Sequence, residues 1–379
     1  MDFELSKEQK DIQKAAREFA LGEFPDRALE FDRNESFDLN LLKKTCELGF
    51  VGLFIEEEYG GGGLGFFEQG LVLEEFWAVD AGISMAVFSG VFGSELLGIT
   101  GTEEQKKRYL PPLVKGEAIM GTAITEPNAG SDVTAAVTTA VLKGDEYVIN
   151  GSKMFITNGN LADYLLVFCL TDPDNPDRHK RHSFLLVETD RPGYEANKLH
   201  GKMGIRASNT ADITFRDVRV PASSLVGTRG NGFKELMAFF DLTRLHIAAA
   251  ATGLARAALN EGIAYTKKRE QFGVPLASFQ ITQFKIAEMA TRIRAARNLY
   301  YEAAWLADNG KTDHMLVSMA KWFSAQVAVQ CADTALQMHG GYGYLDEYKV
   351  QRIYRDAKIL EIFEGTKEIE KLIIARSLL

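Results

Sequence analysis

Apolar residues at three- and four-residue spacing dominate the first part of the chain. The stretches "FDLNLLKKTCELGF" and "FFEQGLVLEEFWAV" both have this spacing, which predicts helices. Near the start, Ser6 and Gln9 form the pattern of a helix capping box. The intervening "EEEYGGGGLGF" lacks the strand-to-helix context of a dinucleotide fingerprint, so a flexible loop is expected there. Residues 1–118 are therefore predicted to form a helical domain.

The pattern changes at "GEAIMGTAITEPNAGSDV", and residues 119–228 have the features of a β domain. "AAVTTAVLKGDEYVING" predicts a hairpin that turns at Lys143, Gly144 and Asp145. "DYLLVFCLT" and "HSFLLVE" are apolar runs typical of buried strands, and "DITFRDVRVP" alternates apolar and polar residues. The polar "TDPDNPDRHKRH" is expected to be a solvated loop.

Helical spacing returns at about residue 229 and continues to residue 379. The first helix of this part is rich in alanine, the strongest helix former. The predicted order is a helical domain, a β domain and a second helical domain. This order differs from the alternating strands and helices of a Rossmann enzyme.

Composition narrows the choice of function. The chain has 379 residues and a formal net charge of −9, which argues against a general nucleic-acid or anionic-membrane binder. Cys46, Cys169 and Cys331 are far apart, so neither a zinc site nor a disulfide framework is predicted. No targeting segment and no apolar run of about 20 residues is found, so a cytoplasmic protein is expected.

One carboxylate near the C-terminus remains ambiguous. In "RDAKILEIFEGTKEIEKLIIAR", Glu361, Glu368 and Glu370 fit solvated helix faces. Glu364 instead lies between an apolar pair and a glycine, a residue that disfavours helix. The pattern leaves two interpretations open: a surface residue at a helix break, or a catalytic base.

Five segments of the chain, in this order, resemble the acyl-CoA dehydrogenase family. They are "AITEPNAGSDV" (123–133), "GSKMFITNG" (151–159), "REQFG" (269–273), "QMHGGYGY" (337–344) and "RDAKILEIFEGT" (355–366). The resemblance implies an N-terminal helical domain, a middle β domain and a C-terminal four-helix bundle, assembled as a homotetramer. It also implies FAD as cofactor, an acyl-CoA thioester as substrate and an electron-transfer flavoprotein as acceptor.

The first two segments are expected to surround the flavin ring. On composition alone "TAITEPNAGSDV" is a turn that exposes backbone N–H groups and hydroxyls. By resemblance, Thr122, Ile124 and Thr125 contact the flavin, and Ser131 lies between flavin and acyl-CoA. In the second segment Phe155 and Thr157 are two residues apart on a strand, so they point to the same side. Many relatives have tryptophan at the position of Phe155. Without the resemblance, Phe155 would be interpreted as an ordinary core residue.

The next segments match the far end of the cofactor. A pyrophosphate requires a guanidinium and closely approaching backbone N–H groups. By resemblance, one subunit contributes Arg269, Gln271, Phe272 and Gln280, and Gln337 and Gly341 face them from another subunit. Without the resemblance, Arg269 is a solvated residue in a charged run. Thr366 and Glu368 match positions near the adenosine of FAD, where many relatives have glutamine instead of Glu368. His339 beside the glycines is expected to be structural.

The resemblance makes Glu364 the catalytic base and gives its N–H a role in binding the thioester carbonyl. Other relatives place the base on an earlier helix, at the position occupied here by Thr243, which cannot act as one. Gly365 is expected to let the backbone approach the substrate. Phe240, Asp241 and Arg244 are expected beside the substrate channel, although a helix face packed inside the bundle explains them equally simply.

The acyl specificity is predicted from the segment "GISMAVFSGVFGSELL", which by resemblance is a helix that partly lines the acyl pocket. Phe88 and Phe92 would narrow the pocket if they point inward, which favours a short, branched or alicyclic acyl group, and otherwise they belong to the core. No lysine or arginine occurs between Phe76 and Glu103, which argues against a dicarboxylic acyl group.

Two other functions compete with the dehydrogenase. One is a flavin-dependent acyl-CoA oxidase, although the chain lacks the additional C-terminal domain common in such oxidases. The other is a non-enzymatic relative that binds DNA or scaffolds an assembly. The presence of Glu364 and the charge of −9 argue against it.

Overall fold

The computed structural model describes residues 4–379, and within them helices flank a central sheet. The helices are, in chain order, α1 (Lys7–Glu23), α2 (Pro25–Asn34), α3 (Leu39–Glu47), α4 (Phe66–Val79), α5 (Ala81–Phe88), α6 (Ser94–Thr100), α7 (Glu103–Val114), α8 (Gly232–Lys268), α9 (Gln280–Asp308), α10 (His314–His339), α11 (Lys349–Ala357) and α12 (Lys367–Leu378). The predicted order of helices, strands and helices is confirmed.

The strands lie almost entirely between α7 and α8. They are β1 (Met120–Ala123), β2 (Thr139–Lys143), β3 (Glu146–Thr157), β4 (Tyr164–Leu170), β5 (His182–Glu188), β6 (Tyr194–Lys198), β7 (Thr210–Pro221), β8 (Leu225–Val226), β9 (Glu270–Gln271) and β10 (Val274–Pro275). The predicted hairpin joins β2 to β3, and Gly144 in its turn has a φ of 66°. The β6 strand and the β9–β10 hairpin are not predicted by the sequence, because they lack a long apolar or alternating pattern.

The central sheet is mixed. Seven strands follow the order β6-β7-β3-β2-β4-β5-β8, and β1 pairs in parallel with β4. The β3 and β7 strands are antiparallel, with register shifts at residues 149–151 and 153–156 of β3. The second shift is a bulge that contains Met154 and Phe155.

The glycine-rich stretch expected to be a flexible loop is instead folded back on residues 52–55. The N–H groups of Gly62 and Gly63 donate to the carbonyls of Gly52 and Ile55. A Cβ at Gly61 would lie 2.2 Å from the carbonyl oxygen of Ile55, so glycine is required for this close approach.

Two apolar cores support the site. The first joins the N-terminal helices to the sheet, and the second lies between α8, α9 and α10. The α4 helix connects the two, because Val72 and Phe76 belong to the first and Leu73 and Trp77 to the second. The backbones of α4 and α8 lie very close together, since a Cβ at Gly253 would be 2.3 Å from the carbonyl oxygen of Glu74.

Candidate active site

The loop between α11 and α12 carries Glu364 in an unusual backbone conformation. Its φ is 55°, and Gly365 follows with a φ of 99°. A non-glycine residue in the left-handed region is uncommon and is maintained only where its surroundings hold it there. A Cβ at Gly365 would lie 2.2 Å from Oε1 of Glu370 and 3.0 Å from the guanidinium of Arg244. The lack of a side chain at Gly365 therefore lets Glu370 and Arg244 approach the backbone of this loop.

Two buried cations hold this loop in place. Arg244 Nε donates to the carbonyl of Glu364 at 2.9 Å. Lys321 Nζ donates to the carbonyls of Phe363 at 2.8 Å and Gly365 at 2.5 Å. Burial lowers the pKa of Lys321 to about 8. Three consecutive carbonyls are thus bonded to residues of α8 and α10, which fixes the carboxylate relative to the bundle.

The Glu364 side chain is half-buried and accepts a hydrogen bond from Thr243. The distance between Thr243 Oγ1 and Glu364 Oε2 is 2.6 Å. Burial raises the pKa of the Glu364 carboxyl, and the Thr243 hydroxyl and the charges of Arg244 and Lys321 offset this only in part. Thr243 cannot act as a base, but its hydroxyl orients the Glu364 carboxylate, a contact that the sequence does not reveal.

The prediction that Glu361 and Glu370 lie on solvated helix faces is wrong. Glu370 is fully buried, and its Oε1 lies 3.1 Å from Nε of Arg244. Glu361 is buried as well and accepts a hydrogen bond from Lys358 at 2.6 Å. Local periodicity cannot reveal that Arg244, 126 positions before Glu370, lies against α12. Glu368 is exposed as expected.

The segment expected beside the flavin ring begins in β1. Thr122 and Ile124 are buried, Thr125 is half-buried and Ser131 is exposed in the following loop. Thr122 Oγ1 donates to the carbonyl of Phe92 at 3.3 Å. This bond joins β1 to the region before α6, where the acyl pocket is expected.

Phe155 lies within the second bulge of β3, and Thr157 is the last residue of that strand. Phe155 has a φ of 60° and is 65% exposed, so it is not an ordinary core residue. Ile156 between them is buried, whereas Thr157 is half-buried. An aromatic ring and a hydroxyl are therefore both at least partly accessible at this end of β3.

A buried ion pair joins these two segments and was missed by sequence reasoning. Lys153 Nζ lies 2.9 Å from both the Ile124 carbonyl and Oε1 of Glu126. The Glu126 carboxylate also accepts the N–H groups of Val137 and Thr138. Because Lys153 is fully buried in an otherwise ordinary strand, no local pattern marks it.

Arg269 and the glycine-rich segment meet within one chain. The Arg269 guanidinium lies 5.4 Å from the ring centre of Tyr342, the residue after Gly341. Both line an open cavity of about 530 Å³, together with Glu261, Ala264, Tyr265, Lys268, His339 and Tyr348. His339 is buried, and its Nδ1 lies 2.8 Å from the Ala335 carbonyl, in agreement with a structural role.

The remaining residues predicted around FAD are accessible. Gln271, Phe272, Gln280, Gln337 and Gly341 are all exposed, with Phe272 at 95%. Phe272 lies in the β9–β10 turn and Gln280 begins α9, whereas Glu364 lies in the loop between α11 and α12. Thr366 Oγ1 accepts the N–H of Ile369 at 3.4 Å and so caps α12.

Phe240 and Asp241 lie on α8 one turn before Arg244. The Arg244 guanidinium is 5.2 Å from the Phe240 ring centre. Asp241 is buried, and its Oδ2 lies 2.5 Å from Nδ1 of the largely exposed His314. His314 is the first residue of α10, and no motif in the sequence indicates its contact with Asp241.

The segment expected to be one helix lining the acyl pocket instead forms α5, a linker that contains Phe92, and α6. Phe88 and Phe92 are partly buried, and their ring centres lie 5.3 Å from those of Phe76 and Phe239, respectively. Glu95 on α6 is buried close to His246 on α8, at a distance of 3.5 Å between Oε1 and Nδ1. In the sequence, only Phe88, Phe92 and the lack of cations mark this segment, and Glu95 is not indicated.

Among residues 4–379, no helix has the length and hydropathy needed to cross a membrane. The same residues contain no group of three or more histidine, cysteine, aspartate or glutamate side chains placed to hold a metal ion.

Comparison with known proteins identifies the family. The chain matches the acyl-CoA dehydrogenase N-terminal domain over residues 6–117, the middle domain over 121–218 and the C-terminal domain over 230–379. It is 43% identical to the probable acyl-CoA dehydrogenase YngJ of Bacillus subtilis (strain 168), and the match covers 100% of both chains.

Two solved structures superpose over 100% of both chains. One is the butyryl-CoA dehydrogenase of Megasphaera elsdenii, with 38% identity and a TM-score of 0.96. The other is a chain from work on the electron-transferring flavoprotein of Acidaminococcus fermentans, with 41% identity and a TM-score of 0.97. The chain described here therefore belongs to the acyl-CoA dehydrogenase family of flavin-dependent oxidoreductases.

Proposed function

We propose that the protein oxidises a short, branched or alicyclic acyl-CoA thioester to the 2-enoyl-CoA, with FAD as its cofactor. The observation that carries this proposal is the position of Glu364. It is a carboxylate with a raised pKa, hydrogen-bonded to Thr243 and held by a loop that Arg244 and Lys321 fix. Such a group is suited to remove a weakly acidic proton.

The residues present fit FAD. The accessible Phe155 and Thr157 would cover and hydrogen-bond the flavin ring, and Thr122, Ile124, Thr125 and Ser131 would line its other parts. Among residues 4–379 no carboxylate forms an ion pair with Arg269, whose guanidinium borders the 530 Å³ cavity. A guanidinium without an acidic partner beside a cavity fits a diphosphate. We assign Gln271, Phe272, Gln280, Gln337, Gly341, Thr366 and Glu368 to the remainder of this cofactor site.

When bound, FAD supplies an acceptor for the β-hydrogen as a hydride. The Glu364 carboxylate takes the α-proton, so both C–H bonds break and a C=C bond forms between the two carbons. The raised pKa makes the carboxylate a stronger base than an exposed glutamate. The Thr243 hydroxyl holds one carboxylate oxygen and leaves the other available for the proton.

The N–H of Glu364 has a second role in this mechanism. Within the described part of the chain it donates to no other group, because the loop leaves the helical pattern at this residue. A free N–H beside the base can donate to the thioester carbonyl and stabilise the negative charge that develops there. Arg244 positions this peptide through its bond to the Glu364 carbonyl.

The packing of Phe88 and Phe92 supports a short acyl group, because these rings take up space where the acyl pocket is proposed. Phe92 packs against Phe239 on α8. The next residue, Phe240, has its ring under the Arg244 guanidinium. Phe88 fills space beside Phe76. The superposed enzyme from Megasphaera elsdenii acts on butyryl-CoA, a short thioester, which supports the same size class here.

We further propose a homotetramer of three-domain subunits, divided at residues 1–118, 119–228 and 229–379, in which FAD binds between two subunits. The proposed electron acceptor is an electron-transfer flavoprotein. It is supported by the superposed chain from the Acidaminococcus fermentans work.

Product analysis tests the proposed function. The FAD-loaded protein is incubated with short, branched and alicyclic acyl-CoAs and an artificial electron acceptor without oxygen, and products are identified by mass spectrometry. We expect an enoyl-CoA two hydrogens lighter than the substrate. Absence of any such product would contradict the proposal. Equal turnover with oxygen alone, accompanied by hydrogen peroxide, would identify an oxidase.

A further inference from the structure

A buried polar pair joins α6 to α8, the helix that carries Thr243. Glu95 on α6 and His246 on α8 face each other at 3.5 Å, and their side chains are only 3% and 14% exposed. Oε2 of Glu95 accepts the N–H of Gly93 at 3.0 Å. Burying an ionisable pair costs free energy, which a purely apolar pocket would avoid.

The second nitrogen of His246 has no partner. Within residues 4–379 its Nε2 is buried and no group lies in hydrogen-bonding reach. The His246 ring centre lies 5.4 Å from that of Phe54 and 5.3 Å from that of Phe66. A buried polar atom without a hydrogen bond is rare in native proteins and needs an explanation such as a ligand.

This pair lies beside the catalytic carboxylate. His246 follows Thr243 by three residues on α8, so both side chains lie on one side of the helix. Thr243 holds Glu364, and the charge of Glu95 contributes to the raised pKa of Glu364. On the other side, Gly93 lies against Thr122 at the proposed flavin site. The pair therefore joins the proposed acyl-lining segment to the side of α8 that carries Thr243.

We infer that Glu95 and His246 recognise a hydroxyl group on the acyl chain of the substrate. This inference rests on the proposed dehydrogenase function and specifies its substrate class. Nδ1 faces the Glu95 carboxylate, so Nε2 is the ring nitrogen left for a ligand. A hydroxyl suits this nitrogen because it can both donate and accept a hydrogen bond.

Other substituents fit this pair less well. An acyl carboxylate would face the Glu95 charge, and no lysine or arginine occurs between Phe76 and Glu103. A plain alkyl group would leave His246 Nε2 without a partner in the complex. A site built to bond a hydroxyl discriminates against the analogue that lacks it.

Paired substrates test this inference. The FAD-loaded enzyme is assayed with 5-hydroxypentanoyl-CoA against pentanoyl-CoA, and with 3-(4-hydroxyphenyl)propanoyl-CoA against 3-phenylpropanoyl-CoA. We expect kcat/KM to favour the hydroxylated member in at least one pair, by about tenfold for one hydrogen bond. His246→Leu and Glu95→Gln should reduce this ratio, while His246→Gln, which keeps a hydrogen-bonding group, should restore part of it.

Phe92→Leu is the matched control, because it changes the shape of the pocket and should alter both members of a pair alike. Two outcomes would overturn the inference: the unsubstituted member is preferred in both pairs, or the ratio is the same in His246→Leu as in the parent. If the parent enzyme oxidises none of the four thioesters or any other acyl-CoA, the proposed function itself fails instead.

Discussion

At the scale of single residues, the site depends on the backbone conformation of Glu364. Its left-handed φ of 55° directs its N–H away from any helical partner, and its side chain reaches Thr243 on α8. One residue thus presents a carboxylate and a free N–H, the two groups that α-proton removal beside a thioester carbonyl requires. Gly365 is required because Glu370 and Arg244 occupy the space of a side chain.

Thr243→Val should change the pH dependence of the reaction. The Thr243 hydroxyl donates to the carboxylate, which stabilises its ionised form and lowers its pKa. Without this bond the pKa rises, so the acidic limb of the kcat/KM profile should move up by about one pH unit. Thr243→Ser keeps a hydroxyl and should retain the parent profile. An unshifted limb in Thr243→Val would show that the bond does not tune the base.

Several residues of this site are predictable from sequence, and others are not. Glu364 and Phe155 lie in segments whose local pattern resembles a known family, so they are recognisable without a structure. Glu370 and Lys153 form pairs with Arg244 and Glu126, which lie 126 and 27 positions away. Such partners are brought together only by tertiary packing, so spacing along the chain does not reveal them.

At the scale of elements, the Lys153–Glu126 ion pair connects β3 to the loop that follows β1. Burial lowers the pKa of the Lys153 ammonium, and the ion pair with Glu126 works against that effect. The Met154 N–H adds a bond to the Thr125 carbonyl at 2.9 Å. These contacts hold Thr125 and Phe155, both proposed flavin contacts, in fixed relative positions.

Lys153→Met should destabilise the protein by about 3–5 kcal/mol, because it leaves the Glu126 charge buried without its partner. Denaturant unfolding measures this difference. Lys180→Met is the control, since Lys180 is largely exposed and its change should cost less than about 0.5 kcal/mol. Equal stabilities of the two variants would contradict the importance of the pair.

Asp356 connects α11 to the loop before β7, because its Oδ1 accepts the N–H of Ile205 at 2.6 Å. Arg352 is paired with Asp80 and Arg355 with Asp32, which leaves Asp356 as a third acid without a cation of its own. Burial, reinforced by the charge of Asp80, raises the pKa of Asp356 to about 7.

This raised pKa predicts a pH-dependent stability. Between about pH 4 and pH 7 the folded protein binds the proton that the unfolded chain releases, so raising the pH should weaken folding. Asp356→Asn removes this contribution and should gain stability relative to the parent as the pH rises, by up to about 4 kcal/mol. Denaturant unfolding at several pH values measures it. The exposed Asp346→Asn is the control, and parallel curves for parent and Asp356→Asn would contradict the assignment.

At the scale of the whole molecule, exposed apolar side chains concentrate on the β9–β10 hairpin and the start of α9. Phe272, Ile281 and Phe284 are 95%, 63% and 54% exposed. Apolar groups clustered on a surface indicate an interface. The same hairpin follows Arg269, which links this surface to the proposed FAD diphosphate site.

The double variant Phe272→Glu, Ile281→Glu should disrupt the proposed tetramer and weaken FAD retention, because both charges would be desolvated at the interface. Light scattering coupled to size exclusion gives the mass, and the flavin absorbance gives the FAD content. Leu21→Glu changes a residue of α1 that is 57% exposed and should preserve both. A double variant with parent mass and FAD content would place the interface elsewhere.

The order of helices and strands across the molecule was predictable, because long apolar periods and alternating strands dominate the pattern. The packing of α4 against α8, the bulge in β3 and the meeting of Arg269 with Tyr342 were not. They depend on close contacts between segments far apart in the chain.

Anaerobic reduction of the bound flavin tests the central claim, that Glu364 is the base of an acyl-CoA dehydrogenase. The FAD-loaded parent and Glu364→Gln are mixed with butyryl-CoA or with the best acyl-CoA from the product analysis, and loss of flavin absorbance is followed in a stopped-flow instrument. We predict rapid bleaching of the parent flavin. Glu364→Gln should retain FAD and bleach about 10²- to 10⁴-fold more slowly. Bleaching of Glu364→Gln at the parent rate would contradict the account.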